Sequence, residues 1–196
     1  MSTSKAAPRK STRKVATSRR TRKPATPAPE PLPVQRFIVL LRHGIAEDSS
    51  ADKKDEERAL TAQGHARMKE IARGLRLALP KVEAIYTSPL LRAVQTALWV
   101  SKGYRSRVSV TNTDAIVPGA PAKDFLSLLA SIKESRVVIV GHEPNLSANL
   151  RALVHLGDAE SLELKKGGAY GVRILSDGTA LLEWILTPRI LRKLGK

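Results

Sequence analysis

Apolar residues in this chain fall into short unbroken runs and into helical repeats, and the two kinds alternate. Phe37-Ile38-Val39-Leu40-Leu41 carries no polar alternation, which predicts a strand buried on both faces of a parallel sheet. The run stops at Arg42-His43-Gly44. Val137-Val138-Ile139-Val140 is a second such run, and it stops at Gly141-His142-Glu143-Pro144. Residues 82–87 predict a third, shorter strand, and residues 108–110 an edge strand. Between them, Ala66, Met68, Ile71, Leu75 and Leu77 recur at helical spacing behind Thr61, the expected N-cap, and Pro80 closes that element. A second helix is expected from Ser88-Pro89, a cap followed by a first-turn proline, to Val100. A third is expected over 122–132, with Phe125, Leu126, Leu128 and Leu129 inward, and a fourth over 146–156. The pattern then changes. Residues 162–164 and 170–175 read as strands around Gly167-Gly168, Asp177-Gly178 as a hairpin turn, 180–186 as the returning strand and 188–194 as a short terminal helix.

Strands alternating with helices predict an α/β fold, here a three-layer α/β/α domain with a mostly parallel sheet. Such sheets bind ligands at the carboxyl ends of their strands. Arg42, His43 and His142 are therefore placed where chemistry is expected. Arg92 lies in the first turn of a helix that begins at a strand's carboxyl end. Helix N-termini attract anions, and a guanidinium adds a planar fork suited to phosphate oxygens.

Composition changes this picture mainly at the N-terminus. The chain has 196 residues, no cysteine and a net charge of +16. The lack of cysteine excludes disulfides, thiolate metal sites and a thiol nucleophile. It fits a reducing compartment, and the expected location is the cytoplasm. No apolar stretch has the length of a membrane span, so no membrane partner is expected. Residues 1–33 hold nine Lys/Arg and one acid, Glu30, about half of the excess charge. Val15 is the one aliphatic residue larger than Ala before Leu32. Residues 1–34 are therefore expected to be a disordered basic tail, and 35–196 the folded domain. The tail serves either as a solubilising segment or as a polyanion contact acting by counterion release. It lacks the apolar core of a secretory signal and the amphipathic face of a transit peptide. No aromatic residue interleaves its charges, so base stacking is not indicated.

Four segments in order resemble a known family: Leu41-Arg42-His43-Gly44, Leu60-Thr61-Ala62-Gln63-Gly64, Thr87-Ser88-Pro89-Leu90-Leu91-Arg92-Ala93-Val94-Gln95-Thr96 and Val140-Gly141-His142-Glu143-Pro144. Together they resemble the histidine phosphatase superfamily, the phosphoglycerate mutase-like fold. The short length, the Ser-Pro-Leu-Leu-Arg and Gly-His-Glu-Pro forms, Lys166-Gly167-Gly168-Ala169 and the 184–188 stretch are most similar to SixA-type phosphohistidine phosphatases. The resemblance covers roughly residue 36 to the C-terminus and leaves out the basic tail.

The resemblance implies a metal-independent phosphatase with no cofactor, in which His43 is the nucleophile of the Arg42-His43-Gly44 (RHG) motif. Arg42, Arg92 and His142 would bind the phosphoryl oxygens, His142 as imidazolium. Many relatives supply a glutamate as general acid where this chain has Gln95-Thr96, and glutamine cannot donate as an acid. Glu47, Asp48 and Glu57 are substitutes to consider. A phosphohistidine substrate relaxes the requirement, because its imidazole can leave neutral. The expected partner is then a phosphorylated protein, a histidine-phosphotransfer domain, and the alternative is a small phosphorylated molecule. A polyanion-binding protein acting through its tail is the rival from another class. Asn145 stands where the family often has aspartate. His65 and His155 read as structural or surface residues, and Glu143 as a group that fixes its loop.

Overall fold

Strand β1 (Arg36–Arg42) has its four central residues fully buried. The computed structural model in which it lies describes residues 35–105, 108–157 and 162–196, together with Met1. Apart from Met1 these fall in one compact unit, Pro33–Lys196. The expected disordered tail and its boundary lie outside the described residues.

The elements follow as α1 (Ala62–Ala78), β2 (Ala84–Thr87), α2 (Leu91–Gly103), β3 (Ser109–Asn112), α3 (Ala122–Ser131), β4 (Arg136–Gly141), α4 (Asn145–Val154), β5 (Ala169–Ile174), β6 (Ala180–Leu186) and α5 (Pro188–Leu194). Short 3₁₀ turns stand at Asp55–Glu57 and Asp114–Ile116. The six strands form one sheet in the order β3-β2-β4-β1-β5-β6. The first four run parallel, while β5 is antiparallel to β1 and β6 to β5.

The unbroken apolar runs are explained by helices on both faces. Val39 and Leu41 of β1 and Val138 and Val140 of β4 pack with Met68, Ile71 and Leu75 of α1, with α2 and with Leu191 of α5. Ile38, Leu40, Val137 and Ile139 face the other way, onto Phe125 and Leu129 of α3 and Leu146 and Leu150 of α4. The architecture is the expected three-layer α/β/α. No helix among the described residues is long and apolar enough to cross a membrane.

Several local expectations need correction. Of the apolar residues at helical spacing in α1, Ala66 and Leu77 are exposed, because the helix buries only Gly64, Met68, Ile71, Ala72, Gly74 and Leu75. Leu126 is likewise exposed, since Phe125 and Leu129 already meet the sheet. Helix α2 begins at Leu91, with no side-chain cap on its preceding residue. Ser88 instead accepts from Leu90 N at 3.4 Å, a turn before the helix. Residues 162–164 form no strand. Leu164 is buried in a loop, its N–H donating to Glu143 Oε1 at 3.0 Å. Helix α4 stops at Val154, and His155 closes it in the left-handed conformation (φ 51°). Thr61 does cap α1, accepting from Gly64 N at 3.0 Å.

Candidate active site

The central pair of strands fixes the site. β1 and β4 are parallel neighbours with Arg42 opposite Gly141, so the next residue of each, His43 and His142, leaves the sheet at the same point. His43 N donates to Gly141 O at 3.1 Å, which locks the two strand ends together. The imidazole rings lie 5.0 Å apart, tilted by 52°. Both are buried.

The tautomer of His43 follows from one contact. Nδ1 lies 2.7 Å from Gly44 O. A carbonyl can only accept, so Nδ1 carries the hydrogen and Nε2 carries the lone pair. Burial lowers the His43 pKa to about 4, and the charges of Arg92, Arg42 and Lys166 push it the same way, against the raising effect of the Gly44 bond. The ring is therefore neutral at pH 7, with its lone pair on Nε2.

His142 is held neutral more firmly. Burial lowers its pKa to about 3, aided by His43, Arg92 and Arg42 and opposed by Asp55. The expected imidazolium is thus not what the protein groups alone impose. A doubly negative phosphoryl group beside the ring reverses the sign of the local field and favours protonation. Both ring nitrogens of His142, and Nε of Arg42, are buried without a hydrogen-bond partner among the described residues. Orphaned buried polar atoms are rare; apart from Nε and Nη2 of Arg36 at the start of β1, those among the described residues belong to two of the residues expected to hold phosphoryl oxygens.

Arg92 is the second residue of α2 and is 4% exposed. Its Nη1 donates to Asp55 O at 2.6 Å and its Nη2 to Asp55 Oδ2 at 2.8 Å. Arg42 sits on the other flank. Its Nη1 donates to Leu164 O and, at 3.1 Å, to Glu163 Oε1. Beside it opens a cavity of about 480 Å³ lined by Glu143, Pro144, Ser147, Arg151, Leu162 and Glu163. Glu143 fixes this loop as expected, accepting from Ser147 Oγ and Leu164 N. The electrostatics of both histidines include Arg42 and Arg92, so the structure brings together all four residues singled out in the sequence.

Two further residues belong to this cluster and were not assigned to it by sequence. Asp55 bridges Arg92 to Arg58, and hydrogen bonds from Arg58 and then Arg92 hold its carboxyl below the usual carboxylate range. Thr96 Oγ1 accepts from Gly44 N at 3.0 Å and donates to Arg92 O at 2.7 Å, tying the loop after β1 to the helix that carries Arg92.

The acids named from the sequence do not join them. Glu47 accepts from Lys53 and from Ala59 N. Asp48 is exposed. Glu57 lines an apolar cavity with Leu90, Leu91 and Val94. Gln95 accepts from Leu60 N at 2.6 Å, a purely structural bond. His65 accepts from Trp99 Nε1 at 2.9 Å and is structural too. Asn145 bonds Gly119 N and Ala120 O, anchoring the loop before α3. Among the described residues no group of three His, Asp or Glu side chains could hold a metal ion.

Comparison with known proteins agrees with this geometry. The family model of the histidine phosphatase superfamily (branch 1) matches residues 38–115. An uncharacterized protein of Picosynechococcus sp. (strain ATCC 27264 / PCC 7002 / PR-6) is 33% identical over 142 residues, 69% of this chain and 84% of its own. The protein histidine phosphatase SixA complexed with tungstate superposes with a TM-score of 0.68 at 22% identity, over 79% of this chain and 99% of that one. A SixA protein from Agrobacterium tumefaciens gives 0.67 at 24% identity, over 78% and 98%. A phosphoserine phosphatase from Entamoeba histolytica, in complex with phosphoserine, gives 0.63 at 16% identity, over 80% and 99%. At these identities the likeness to solved structures establishes the fold.

Proposed function

The chain belongs to the histidine phosphatase superfamily, and we propose that this phosphatase removes the phosphoryl group from phosphohistidine in a protein through a covalent intermediate on His43. The observation that carries the mechanism is the Nδ1–Gly44 bond. It leaves a neutral ring with its lone pair on Nε2, in the field of two arginines. Nε2 attacks phosphorus and the substrate's P–N bond breaks, its electron pair going to the departing imidazole nitrogen. That imidazole carries a hydrogen on its other nitrogen and leaves neutral. Water then attacks phosphorus, the P–Nε2 bond breaks and its pair returns to His43. The proton lost by water goes to phosphate or solvent. Arg42 and Arg92 neutralise the equatorial oxygens throughout, and two-step transfer splits one difficult displacement into two easier ones.

The substrate class rests on the lack, among the described residues, of a carboxyl group beside the cradle that is free to donate a proton. Asp55, the carboxylate bonded to Arg92, is an acceptor to two arginines and is held ionised. Glu163 and Glu143 are also engaged as acceptors. An alkoxide leaving group needs an acid, whereas an imidazole with its second nitrogen protonated does not. This favours a P–N bond over a sugar or serine phosphate.

The test is phosphate release, without added metal, from a phosphohistidine-bearing protein and from a panel of phosphomonoesters, for wild type and His43→Ala. The expected result is fast release from phosphohistidine that falls by roughly 10³-fold or more in the variant. Preference for a monoester keeps the nucleophile and overturns the substrate. Release that does not depend on His43 overturns both.

A further inference from the structure

The Lys166-Gly167-Gly168 segment lies outside the residues assigned to the phosphoryl cradle, yet it is fastened to the proposed nucleophile. Gly167 N donates to the carbonyls of both Arg42 and His43, at 3.1 Å each. Arg42 N in turn donates to Gly168 O at 3.0 Å. Gly167 has φ of +82°, and a Cβ there would stand 2.6 Å from Ile71 Cδ1. Only glycine satisfies both the backbone and the close approach. The loop is thereby pressed onto α1, and Lys166 reaches a small cavity bounded by Gly44, the residue after the nucleophile.

Four cationic residues contribute to the lining of that cavity: Arg67 from α1, Lys166, and Arg189 and Arg192 from α5. Met68, Ile71 and Pro188 make its apolar wall. Arg192 is paired with Glu70 at 2.6 Å. Arg67, Lys166 and Arg189 have no carboxylate partner among the described residues. Like charges converging on a concave, low-dielectric wall raise the local potential and concentrate anions. Guanidinium forks match oxyanion geometry. The volume, about 140 Å³, is well below the roughly 300 Å³ of the smallest ordinary organic-ligand pockets.

We propose that this cavity is a second oxyanion site, separate from the Arg42–Arg92–His142 cradle, which takes one small free anion of the size of inorganic phosphate. The volume matches inorganic phosphate and is too small to enclose a nucleotide or a sugar phosphate. The site shares the nucleophile's loop through Gly44, and an anion in it neutralises Lys166, one of the charges that act on His43. The proposal does not depend on phosphohistidine being the substrate.

Calorimetric titration of the full chain with inorganic phosphate at low ionic strength tests it, on wild type and on the Arg67→Ala/Arg189→Ala double variant. Arg189 is exposed and Arg67 half-buried, so neither supports the core. The double variant is expected to bind one phosphate fewer per chain than wild type, with the remaining binding unchanged. Equal stoichiometry in the two proteins overturns the proposal. Should the double variant fail to fold, Arg189→Gln replaces it. One class of phosphate site is then expected to weaken by about tenfold, and an unchanged isotherm overturns the proposal.

Discussion

Arg92 gives two of its five N–H donors to Asp55. Asp55 therefore sets where the guanidinium plane lies, and it does so from a 3₁₀ turn that Arg58 also grips. Asp55→Ala is expected to lower kcat/KM by roughly 10- to 100-fold, the range for a lost hydrogen bond to a charged group. The same substitution removes the charge that raises the His142 pKa, so that pKa moves further down. Imidazole titration by NMR separates this from mere loosening of the turn, which would leave His142 where it was. At this scale the sequence showed much. His43 and His142 were legible because each ends an apolar run beside a glycine, and Arg92 because it opens a helix after a strand. Asp55 was not, because it sits among Asp52, Lys53, Lys54, Glu56 and Glu57, where pattern gives no reason to prefer one acid. Only the pairing with Arg92, 37 residues away, selects it. Thr96 was quoted in a motif without a role, since its two bonds join segments that sequence does not place together.

Among the elements, α5 shows how a site can be supported from outside it. It packs on α1 by close backbone approach. A Cβ at Gly74 would lie 1.9 Å from Leu191 O, and one at Gly195 the same distance from Glu70 O. Arg192 adds its ion pair with Glu70 across the contact. Gly74→Ala must push the helices apart, and overpacking of this kind costs about 1–3 kcal/mol. For a domain of this size that is a fall in melting temperature of roughly 2–10 °C, measurable by thermal unfolding. A smaller change would mean that α5 docks loosely. The strand order and the two helical layers could be foreseen from alternating runs, but this docking could not. A glycine inside a helix reads as a weakness until the carbonyl that occupies its place is known. The exposure of Leu77 and Leu126 has the same origin. Helical period marks a stripe, and only the neighbouring layer decides how wide the buried stripe is.

Taken whole, the molecule carries its charge in two parts, and they invite separate experiments. Removal of residues 1–34 takes away nine of the 34 Lys/Arg. Phosphatase turnover is expected to persist in the truncated chain, while binding to a polyanion such as duplex DNA weakens and loses most of its salt dependence. The same salt slope in both proteins would assign polyanion binding to the folded domain.

Acid should unfold the chain earlier than its carboxylates alone would allow. His43 and His142 titrate at about 4 and about 3 in the folded protein, against about 6.5 unfolded. Below pH 6.5 the unfolded chain binds protons that the folded chain refuses. Stability therefore falls as pH drops, by up to about 1.4 kcal/mol per pH unit for each histidine, until the folded pKa is reached. The depressed carboxylates, Asp55 and Glu83 among them, act with the same sign but only below the ordinary carboxylate range. The window between pH 6.5 and 5 thus belongs to the two histidines. Denaturant unfolding across it is expected to show a slope approaching two protons in wild type and a nearly flat line in His43→Asn/His142→Asn. A flat wild-type line would mean that these rings are not buried neutral, and the lone pair assigned to Nε2 at pH 7 would lose its support.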